Sequence, residues 1–159
     1  MAIISMISSC FKDDNIMIKR EDNIGNDLLL DGYYCSSEKC DSDQNETYFL
    51  NRNGVILYGG IPDIAEITNS DSEYYKRIRS RKYYWGAYKI LNDMLVFEKW
   101  NGEEKPFTTS LFKAKIVNST HFIIESVSDG DGSDEQTRNE KFFFKKFSPK
   151  PDSTNVFIK

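Results

Sequence analysis

The sequence predicts an all-β protein. It reads as an antiparallel meander closing into a small barrel of about eight strands, with one short helix or loop insertion at 61–82. Three observations carry this. Short apolar or aromatic runs recur along the chain, separated by turn residues at the spacing of a sandwich or barrel. Asn51-Arg-Asn-Gly54 stands between two such runs, and Asn-Gly tolerates the positive φ that a tight hairpin needs. Aromatic residues make up 14% of the chain, with nine Tyr, eleven Phe and two Trp. Such residues are enriched in strands because they pack well on a pleated surface.

The elements follow in order. Leu28 to Cys35 is the first predicted strand. Thr47–Leu50 and Val55–Tyr58 flank the Asn-Gly turn. The segment 61–82 departs from the β pattern: Pro62 opens it, and Ile64, Ala65, Ile67, Tyr74, Tyr75 and Ile78 suggest a loop with one short helix capping an end of the barrel. Tyr83–Ile90 and Met94–Trp100 flank Asn92-Asp93, a second hairpin. Phe107–Val117 and His121–Val127 flank Asn118-Ser-Thr120. Alternation is clear there: Phe112, Ala114 and Ile116 share one face, and Lys113 and Lys115 share the other. Lys141–Phe147 follows an acidic Gly-rich turn, and Asn155–Ile158 is a final short run. Tight connections favour sequential antiparallel pairing.

Composition bounds the function. A chain of 159 residues suits one domain. The aromatic content excludes a disordered chain. A net charge of −4 argues against nucleic-acid binding through bulk positive charge. One histidine, His121, leaves no relay, and no Gly-x-Ser-x-Gly elbow or other nucleophile motif is present. The expectation is a non-enzyme without cofactor. An enzyme would need convergent carboxylates, for which Glu46, Glu98 and Glu125 are the candidates. Asp129, Asp131, Ser133 and Glu140 fall at four calcium-loop positions, but Asp134 stands where the sharp turn requires Gly, so the run reads as an acidic turn and no metal site is expected.

The chain opens with nine uncharged residues, too few to span a bilayer, and turns polar after Cys10. Ile7-Ser8-Ser9-Cys10 resembles a bacterial lipobox, and Lys12-Asp13-Asp14 resembles the stretch following the lipid cysteine in surface-exported lipoproteins of the Bacteroidetes type. The resemblance implies cleavage before Cys10 and lipid on its thiol. Residues 1–9 then form a truncated signal-like segment, 10–27 a lipid-anchored tether and 28–159 the barrel domain. The implied location is the outer membrane or cell surface, with the lipid bilayer as partner. The remaining cysteines, Cys35 and Cys40, either form a disulfide in an oxidising compartment or stay reduced in a loop.

Gly32-Tyr33-Tyr34 resembles the lipocalin Gly-x-Trp motif, with Tyr34 where Trp stands in that family and Lys145 or Lys146 as counterpart of its late-strand basic residue. The strand rhythm over 31–147 is similar to that of lipocalin-like domains of small bacterial lipoproteins. That resemblance implies a binding module holding a small apolar or glycan-type ligand at the barrel mouth. Tyr84, Trp85, Tyr88 and Trp100 are the candidate stacking residues, and Arg79 and Arg81 the candidate cations. Both arginines belong to a basic run, Lys76 to Lys82, which alternatively is a solvated face. The other functional expectation is an accessory subunit that docks on an envelope protein through the outer barrel face or loop 61–82.

Overall fold

A computed structural model describes residues 15–42, 44–60, 64–105 and 108–159. Eight strands form one closed antiparallel barrel in chain order. They are β1 (Gly32–Cys35), β2 (Glu46–Leu50), β3 (Val55–Gly60), β4 (Trp85–Leu91), β5 (Met94–Trp100), β6 (Thr109–Asn118), β7 (His121–Asp129) and β8 (Gln136–Lys146). Tyr34 on β1 pairs with Tyr48 on one side and Phe144 on the other, which closes the ring. The strands leave no room for a side chain at Gly32: a Cβ there would lie 1.9 Å from the carbonyl oxygen of Lys145. The two predicted hairpin turns carry their positive φ at Gly54 (76°) and Asn92 (58°).

Two cores lie on the two faces of the sheet. The inner core holds Tyr34, Tyr48, Ile56, Tyr88, Phe97, Phe122 and Phe142, all buried. Ring centroids lie 5.1 Å apart for Tyr48–Phe97, Tyr48–Phe142 and Tyr34–Phe122. This chain of rings occupies the barrel interior, as side chains fill small barrels. The outer core forms over β1–β4, where Tyr33, Phe49, Leu57, Trp85 and Ala87 face outward yet are buried.

The insertion supplies its cover. A 3-10 helix (Ile64–Thr68) buries Ile67, and helix α1 (Glu73–Ser80) buries Tyr74 and Ile78. Ser72 starts α1 by accepting the Tyr75 N–H at 2.9 Å, and Glu73 in the first turn suits the helix dipole. The indole N–H of Trp85 donates to the Ile78 carbonyl at 2.8 Å, tying helix to barrel. Strands buried on both faces lose the apolar–polar alternation. That is why β1 and β2 read as continuous apolar runs, while β6, whose outer lysines meet water, alternates.

Four expectations change. The first strand starts at Gly32 rather than Leu28. Residues 28–31 instead close one end of the barrel, where the Tyr34 hydroxyl donates to the carbonyls of Leu29 and Ser119, 3.0 Å each. The last strand reaches back to Gln136, because the turn before it needs only residues 130–135. The final run is not a strand: Asn155 Oδ1 accepts the N–H groups of Phe157 and Ile158, and Ile158 buries in the outer core. Within the stretch read as a tether, Ile16 and Ile18 pack on that same core. The signal-like segment and Cys10 lie outside the described residues.

Candidate functional site at the barrel mouth

One end of the barrel carries the tight hairpins and is sealed by residues 28–31. At the other end lie the longer connections, 36–45, 61–84, 101–108 and 130–135. Strand parity decides what faces inward there. Phe97, Phe112, Val127 and Gln136 lie in one transverse row, and Lys99, Ser110 and Asp129 in the next row out. Inward-facing Ser110, Val127, Asp129, Gln136 and Arg138 line a mouth pocket of about 580 Å³, with Asn101 and Lys105 on its rim.

Beneath it the aromatic filling meets charge. Lys99 Nζ sits 4.4 Å from the ring centroid of Tyr58 and 5.7 Å from that of Phe112. A cation over a ring face is held by the ring quadrupole, and more firmly where water is excluded. Burial lowers the Lys99 ammonium from its ordinary value, and Glu46 partly restores it. Burial raises the Glu46 carboxyl, while Lys99, the Tyr48 hydroxyl and Arg138 pull it back. Tyr58 is pushed up to about 12 by burial and by the Glu46 charge. Tyr48, deepest of the set, is raised well above its ordinary value for the same two reasons. Arg138 and Glu140 pair at 3.6 Å on the flared start of β8. The mouth is thus a mixed-charge rim above the aromatic interior, and its pocket, lined mainly by polar and charged side chains, is suited to hydrogen-bonding a polar ligand.

The residues expected to form the site do not gather there. Trp85 and Tyr88 are both fully buried and on opposite faces: Trp85 lies under α1, and Tyr88 points inward with its hydroxyl donating to Asn51 O at 2.7 Å. Tyr84 and Trp100 belong to the outer core, where Tyr84 rests on Tyr83 and Trp100 on Phe157. Arg79 pairs with Asp152 at 3.2 Å, donates to Thr154 O and lies over Trp85. Arg81 pairs with Glu103. Lys76 pairs with Glu73, and Arg77 lies over Tyr74. The basic run is therefore engaged within the fold, and the apolar side of 64–82 covers its own barrel.

Other candidates separate as well. Glu46 faces the mouth, Glu98 is buried under residues 17 and 18, and Glu125 is exposed. In the acidic turn, Asp131 accepts the Ser133 N–H and hydroxyl, while Glu140 faces Arg138. His121 stacks on Phe143 at 5.9 Å. Cys35 and Cys40 are joined, with their Cα atoms 6.0 Å apart. Sequence reasoning missed Lys99, Gln136 and Arg138. Their signal was a polar residue on the same parity as the buried aromatics of its strand, Lys99 with Phe97 and Arg138 with Phe142.

Fold and site together define a class: a self-filled eight-stranded meander barrel with a polar, mixed-charge mouth. Compared with protein-family models, curated proteins and solved structures, the chain has no significant match in any of the three.

Proposed function

We propose that this protein is a non-catalytic binding module, exported and lipid-anchored through Cys10, which holds a small glycan-type ligand at the barrel mouth. The observation that carries the reading is the mouth pocket of about 580 Å³, in the size range of small-ligand sites. Its inward side chains are mostly hydrogen-bonding groups, so a polar ligand suits it better than an apolar one. The filled interior below also favours a ligand seated at the mouth over one swallowed whole. The Cys35–Cys40 bridge supports export, since disulfides persist in oxidising compartments.

The test is an NMR titration of the labelled protein with neutral sugars, amino sugars and uronic acids. Saturable shifts at Ser110, Gln136 and Arg138 are expected with at least one class, weakened about tenfold in Arg138→Ala. If no class shifts these residues, the mouth is not a glycan site. Anchoring is tested separately: mass spectrometry of protein from its own cell should find a chain beginning at Cys10 with acyl mass, and an intact Met1 terminus with a free thiol would refute it.

A further inference from the structure

The sealed end of the barrel holds a second cavity, of about 540 Å³, which the mouth reading does not use. Two cations line it, Lys150 and Arg52. The half-buried Lys150 Nζ donates to the carbonyls of Leu30, at 2.7 Å, and Leu50. The exposed Arg52 guanidinium donates to the Asn23 carbonyl at 3.3 Å. Neither has a carboxylate at ion-pair distance among the described residues. Asp31 also lines the cavity, but its nearest cation is Lys146, at 3.9 Å. Burial pushes the Lys150 ammonium down to about 8; the Asp31 charge opposes this, and the weaker repulsion from Arg52 adds to it. Lys150 and Arg52 give their direct hydrogen bonds to neutral carbonyls, while Asp31 acts on Lys150 from beyond ion-pair distance, so an anion between them would add a direct charge-assisted partner for both. The remaining wall is mixed: the apolar segment Leu28–Leu30, with Leu29 39% exposed, stands beside Asn26 and Asn51.

We propose that this cavity binds a small aliphatic carboxylate, with its charged head between Lys150 and Arg52 and its carbon chain along Leu29 and Leu30. The head group satisfies donors that carbonyls alone leave cationic, and the chain covers a leucine otherwise open to water. The site lies at the opposite end of the barrel from the mouth, so its occupancy is independent of any ligand there.

Hexanoate is the probe, titrated into the whole labelled protein up to the millimolar range. Saturable shifts are expected at Leu29, Arg52 and Lys150. Hexanol, which keeps the chain and lacks the charge, should bind at least tenfold more weakly, as should inorganic phosphate, which lacks the chain. Arg52→Gln removes one cation at an exposed position and should weaken hexanoate about tenfold while leaving the fold intact. A second readout follows the Lys150 ammonium directly: saturating hexanoate should move its titration upward, because a neighbouring anion favours the charged form. Equal binding of hexanol, equal binding of phosphate, an unaltered affinity in Arg52→Gln, or no saturable shift would each overturn the proposal.

Discussion

The carboxylate of Glu98 accepts the backbone N–H of Met17 at 2.7 Å across 81 positions of sequence. The same carboxylate accepts Ile18 N–H at 3.0 Å and the Thr109 hydroxyl at 2.6 Å, and Glu98 is fully buried. A polar side chain on the outer face of β5 thus acts as the clamp for the N-terminal segment. Glu98→Ala leaves three donors without their acceptor, and a loss of about 2–4 kcal/mol is expected by chemical denaturation. Amide exchange at Met17 and Ile18 should accelerate in the same variant. Unchanged exchange at these two positions would show that the segment is held by Ile16 and Ile18 packing instead.

The tie between helix and barrel is open to a similar test. Trp85→Phe removes the indole N–H that reaches the Ile78 carbonyl and leaves space beneath α1. Cavity and lost hydrogen bond together should cost about 2–4 kcal/mol. Because α1 covers the outer core and not the inner one, the barrel amides should stay protected while those of 73–80 exchange faster. Uniform loss of protection across β5–β8 would contradict this separation.

The Cys35–Cys40 bridge closes a loop with a sequence separation of 5. Loop-closure entropy for so short a loop gives about 2 kcal/mol of stabilisation. The Cys35→Ala, Cys40→Ala double variant should lose about that amount and keep its barrel. A loss several times larger would mean that the bridge also holds β1 in register.

Acid titration reports on the mouth. Burial raises the Glu46 carboxyl above its ordinary 4.5. The folded state therefore binds this proton more tightly than the unfolded chain does. The contribution is fully present below about pH 4.5 and is lost as pH rises through the folded value. Glu46→Gln should remove that fall and leave a flatter stability profile just above pH 4.5. An identical slope in the variant would mean that Glu46 is solvated in the folded protein.

The sequence by itself determined the order of the strands and the turns between them, though not every strand's bounds, because turns and alternation rest on local physics. Asn53-Gly54 and Asn92-Asp93 specify turn geometry within a few residues. Lys113 and Lys115 alternate with Phe112 and Ala114 because a strand shows its two faces in turn. Parity even separates Trp85 from Tyr88 on β4, though not which of them faces in.

Only the tertiary structure decided that. The outward face of β1–β4 became a second core because α1 and the C-terminal residues came to lie on it. Trp85, which a sequence reader places at a ligand, is instead spent on packing. The mouth has the same origin. Glu46, Lys99 and Arg138 come from strands far apart in sequence, and they meet only because the ring closes between β1 and β8. Ring closure and register are long-range properties, fixed by how the side chains of all eight strands share one interior. No short window of sequence contains them.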